Sequence, residues 1–201
     1  MVPLVAQDAG LLRGPLSMQH EHALAAANKR MRKVHNAAKV AAFNGWTAAV
    51  FAVLCFPFAV FVVTAMVMGM ALAIVAWNEF RGRTMLRQFD RRGPNLLGWN
   101  QIGFMGLLIA YCAWQIYANL TGVDPVEKHL AGYPELATML GPIDQLHVIL
   151  TLGVYGGVMI FSILYQGLNA WYYFSRAKYL VTYLDQTEPW IIDLQRLSAV
   201  T

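Results

Sequence analysis

Arg83, Arg87 and Arg91 recur at four-residue intervals in "FRGRTMLRQFDRR", a spacing that lines three guanidinium groups along one face of a helix. Guanidinium forks hold phosphate oxygens in pairs, so the chemistry this stripe offers is capture of anionic lipid headgroups. Glu79 or Asp90 beside it could act as a base on a bound headgroup, which defines one alternative, an interfacial lipid-modifying enzyme. The simpler account pairs Glu79 with Arg83 at i+4 and ends an interfacial helix at Pro94. Asp144 and His147 stand at i and i+3, and His129 could fold over them with Glu127 to hold a metal ion. That spacing arises just as readily in a solvated loop, and no metal is expected. Gln115 and Gln166 fall within apolar stretches, where they either hydrogen-bond between helices or line a polar path. The second option carries another alternative, a small oligomeric channel or transporter.

Other chemistry is missing from the pattern. No nucleophile elbow, phosphate loop, zincin motif or paired carboxylate occurs, and a non-enzymatic protein is the expectation. His20, His22 and His35 lie outside the apolar stretches and His147 at the edge of one, so facing haem ligands are not expected either. Cys55 and Cys112 both sit inside apolar stretches and do not form a disulfide framework. No cofactor is therefore anticipated.

The elements that position these residues follow from composition. Of 201 residues 58% are apolar and only 13% charged, against roughly 25% charged in a soluble domain. Lipid is the implied solvent. No Asp, Glu, Lys, Arg or His occurs from Val40 to Asn78. As a single helix those residues would run to about 58 Å, nearly twice the roughly 30 Å of hydrocarbon they would have to cross. Pro57 divides the run, and a transmembrane hairpin over 40–78 with its turn near Pro57 is predicted, although a shallow, membrane-shaping hairpin obeys the same charges. Further spans are read over 101–119 and 146–174. "MVPLVAQDAGLLRGPL" lacks the pattern of a cleaved leader.

Charge orients the spans. Lys29 to Lys39 precede the hairpin and Arg81 to Arg92 follow it, while 120–145 carries mostly acids, so the basic ends belong in the cytoplasm. The expectation is an all-α, integral membrane four-helix bundle with both termini cytoplasmic. Residues 1–39 form an Ala-rich basic helix, capped by Ser17 and able to merge with the first span. A basic amphipathic loop fills 79–100, two short helices lie within 120–145, and an amphipathic tail occupies 175–201. Prolines at Pro125 and Pro134 and glycines at Gly132 and Gly141 mark the two short helices.

Small residues recur within every span. Gly45, Gly69, Gly106, Gly153 and Gly157 would let helices approach closely, either within the chain or between copies. The function anticipated is that of an accessory or assembly subunit or a self-associating scaffold in a bacterial inner membrane. Its partners would be anionic lipids and a homo-oligomer or larger membrane complex, and not nucleic acid.

Overall fold

The structure is a computed structural model that describes residues 17–59, 62–122 and 143–200. Five helices account for nearly all of them: α1 (Met18–Ala59), α2 (Val63–Arg87), α3 (Gly93–Thr121), α4 (Ile143–Gln186) and α5 (Pro189–Val200). The first four each contain a stretch long and apolar enough to cross a membrane. The two short helices expected near 125–141, and His129 with them, lie outside the described residues.

Three boundaries differ from those the sequence suggests. Helix α1 starts as anticipated, with Ser17 Oγ accepting the His20 amide at 3.3 Å, but it does not stop at Pro57, which lies inside the helix. Pro57 is three residues from the end, so the single backbone bond it deletes falls in a turn that is already fraying. The break comes after Ala59, and Val62, in extended conformation, leads into α2.

Secondly, the basic stretch at 79–91 is not a separate helix. Helix α2 continues from its apolar part through Arg83 to Arg87 and closes in a tight left-handed cap. The Phe89 amide bonds to Leu86 O and the Asp90 amide to Met85 O, with Phe89 at φ 59°. This is the geometry in which helices usually place glycine. Thirdly, Pro94 opens a helix where it was expected to end one. It follows Gly93 in the first turn of α3, where a missing amide costs nothing.

The hairpin is explained by one seam. Along α1 the buried positions Ala27, Met31, Val34, Ala38, Ala41, Gly45 and Ala48 follow a three-four alternation, widened by Ala37 and Asn44 beside it, that presents a stripe of mostly small side chains. Helix α2 packs antiparallel to it, burying Leu72, Val75, Ala76, Glu79, Gly82 and Leu86. Glycine is required at two points on this seam. A Cβ at Gly45 would come within 3.2 Å of Glu79 Cβ, and one at Gly69 within 3.2 Å of Cys55 Cβ. Both pairings share one register, which places the end of α2 beside Ala37. The α1 residues before it, 18–36, therefore run on for roughly 28 Å past the end of α2.

Residues 17–95 together with 174–200 make one compact part, and 96–173 another. In the second, α3 and α4 run antiparallel, with Tyr111 and Tyr155 ring centroids 6.4 Å apart and His147 Nε2 3.4 Å from Asn119 O.

Candidate functional site

Beyond the end of α2, the exposed half of α1 is covered by the last turns of α4 and by α5. Arg30 Nη1 donates to Gln186 O at 2.7 Å, and Lys33 Nζ stands 3.9 Å above the Tyr179 ring centroid. Helix α5 packs alongside through His20 and Trp190, whose ring centroids are 5.2 Å apart. Gln195 Nε2 donates to Asn28 Oδ1 at 2.8 Å, while the Tyr183 hydroxyl donates to Gln195 Oε1. The α2–α3 turn joins the same layer. Arg91 pairs with Asp185 at 3.0 Å, and Phe89 packs on Tyr183 with centroids 5.3 Å apart. The amphipathic tail is thus a docked helix: Ile191 is 2% exposed, whereas Leu194 and Leu197 face outward.

Electrostatics in this layer are uneven. Lys33 holds the Tyr179 phenol below its ordinary range, chiefly by hydrogen bonding and then by its charge, with Arg176 and Lys178 adding to the effect. Burial pushes Tyr183 the other way, which keeps it a neutral hydrogen-bond donor. Net positive charge is concentrated here as well. Thirteen of the chain's fifteen Lys and Arg residues lie at 29–39, 81–92 or 176–196.

The arginine stripe comes apart in the structure. Arg91 lies past the cap of α2 and is engaged by Asp185, so only Arg83 and Arg87 of the three remain on α2, both half-buried. Neither has an ion-pair or hydrogen-bond partner among the described residues. The expected Glu79–Arg83 pair is not formed. Glu79 is instead fully buried, facing α1 at Gly45. Sequence reasoning missed it because Glu79 immediately follows an uncharged run and reads as the first polar residue outside it. The usable signal was its place on the Leu72, Ala76, Glu79 stripe.

Gln115 and Gln166 are not brought together. Gln115 Nε2 donates to Tyr111 OH at 3.0 Å, at the level where Tyr111 meets Tyr155. Gln166 lies eleven residues further along α4, roughly 16 Å away along the helix axis. It is 5% exposed, and its Oε1 accepts no hydrogen bond among the described residues.

Of the metal candidates, His129 and the Asp144 side chain lie outside the described residues. His147 approaches Asn119 O, and among the described residues no three His, Cys, Asp or Glu side chains converge. The glycines divide into two classes. Gly45 and Gly69 sit at close approaches, whereas among the described residues a Cβ at Gly106, Gly153 or Gly157 would meet nothing within 4 Å. A cavity of about 570 Å³ opens between α1 and α2 near the tip, walled by Ala52, Cys55, Phe56, Met66, Gly69 and Met70. With no ionisable side chain other than a thiol, it offers only apolar contact.

What the layer can do chemically is bind and hold: it presents cations, neutral amides and aromatic rings, with no nucleophile set against a base. No family model, curated protein or solved structure matches the chain.

Proposed function

We propose that the chain is a four-helix, multi-pass protein of a bacterial inner membrane, with both termini in the cytoplasm. In this reading it acts without catalysis, as an accessory or assembly subunit or a self-associating scaffold. One observation carries the reading, the bare surface of α4. Among the described residues 11% of its most apolar stretch is buried, against 28% for α3, and a Cβ at Gly153 or Gly157 meets nothing within 4 Å. Where lipid is the solvent, small residues on an open face favour a second helix, because close backbone approach replaces the hydrophobic drive that water would supply. The basic ends support the orientation by the positive-inside rule, and Arg83 and Arg87 are available to anionic headgroups at the inner boundary.

Crosslinking in native membranes, followed by extraction in mild detergent, tests the reading. The expected result is a discrete oligomer or hetero-complex that is lost when Gly153 and Gly157 are both replaced by Leu. A monomer in mild detergent with no neighbour captured in the membrane would sink the proposal.

A further inference from the structure

The α2–α3 turn contains Phe89, the non-glycine residue with positive φ among the described residues. A bulky residue persists in that region only when its surroundings over-determine it. Here the surroundings form a continuous chain of contacts. The Phe89 ring, 2% exposed, packs on Tyr183, the Tyr183 hydroxyl bonds to Gln195 on α5, and Gln195 bonds to Asn28 on α1. Arg91, two residues beyond Phe89, is fixed to Asp185 on the same turn of α4 that carries Tyr183. Helix α5 closes this chain from outside. It meets α1 and α4 through the His20–Trp190 ring pair and the neutral side-chain bonds of Gln195, and it buries Ile191.

We propose that α5 is a releasable clasp. Docked, it fixes Tyr183 and thereby holds the α2–α3 turn in its left-handed state. Undocked, it leaves Tyr183 free to move, and Phe89 returns to ordinary backbone geometry. The position of α5 is in this way passed to the adjoining ends of α2 and α3. Release is feasible because α5 has 12 residues, a length at which an isolated helix is marginal. The ion pair at Arg91 is 59% exposed on both sides and therefore screened by salt.

The turn carries its own reporter, since Arg91 and Arg92 are trypsin sites within it. The full-length protein, purified in mild detergent, would be digested as wild type, as Gln195→Ala and as Tyr183→Phe, the last of which keeps the ring contact and loses only the hydroxyl bond. Cleavage of a transiently opened segment follows the population of the open form, so Gln195→Ala should raise the rate after Arg91 and Arg92 about tenfold and Tyr183→Phe about threefold. Cleavage after Arg81 and Arg83, inside α2, should stay at the wild-type rate. The clasp is overturned if both variants leave the turn within about twofold of wild type, or if Arg81 and Arg83 accelerate equally, which is the signature of general unfolding.

Discussion

At Phe89 two effects of opposite sign meet in one residue, and substitution can separate them. Phe89→Ala removes a buried ring, a loss of about 3–5 kcal/mol in a well-packed site, and leaves the left-handed backbone strained. Phe89→Gly loses the same ring and relieves the backbone, so it should be the more stable of the two variants by about 1 kcal/mol. Reversible unfolding in mixed micelles would measure the difference, and a glycine variant no more stable than the alanine one would show that the turn stores no strain. Nothing in the sequence points to this turn at residue 89. A glycine there would have announced the end of α2, whereas phenylalanine in a basic, amphipathic stretch reads as one more helical residue. Tyr179 offers a second test. Its phenol is held low by Lys33, so the folded state favours the phenolate. That contribution is present in full above the unfolded-state pKa and is lost as pH falls through the folded one, which confines it to alkaline solution. Lys33→Met should move the Tyr179 transition upward in an absorbance titration read against Tyr179→Phe, and an unmoved transition would remove Lys33 as the cause.

Helices α1 and α2 meet through glycine at two levels, while Gly106 of α3 and Gly153 and Gly157 of α4 are exposed. Gly45→Leu must displace the Phe80 ring and Glu79 Cβ, each about 3.1–3.2 Å from the new Cβ, and overpacking of this kind costs roughly 1–3 kcal/mol. A Cβ at Gly106 meets nothing within 4 Å among the described residues, so Gly106→Leu should stay within about 0.5 kcal/mol of wild type. Thermal unfolding of both variants in the same detergent decides whether the seam is built as described, since equal losses would contradict it. The hairpin itself was legible from length and charge. Its end was not, because Pro57 is a reliable breaker only in a helix interior and here falls in the last turn. Nor was the length of α1 fully legible. Lys29 to Lys39 mark where the uncharged run begins, but a helix bonded to itself extends beyond such a run so long as something covers its apolar side. The three-four alternation from Ala27 to Ala48 records that continuation, and an abundance of alanine on every face obscured it.

On the scale of the molecule, four apolar helices were readable from composition, whereas the layer at their charged end was not. Its bonds join residues far apart in the chain: Arg30 to Gln186 across 156 positions and Asn28 to Gln195 across 167. Local pattern carries no record of such partners. If the layer depends on them, ending the chain after Gln186 should uncover the first half of α1. Hydrogen exchange at residues 18–36 would then quicken while 40–59 and 63–78 stay protected, and uniform protection would contradict that dependence. The same separation has a consequence in time. During synthesis at about 5–20 residues per second, Asn28 emerges roughly 8–33 seconds before Gln195. For that interval the start of α1 has its own backbone bonds and no cover for Met31 and Val34. The start of α1 is thus made early and sheltered late, and a newly made chain shows residues 18–36 to chaperones and proteases until α5 arrives.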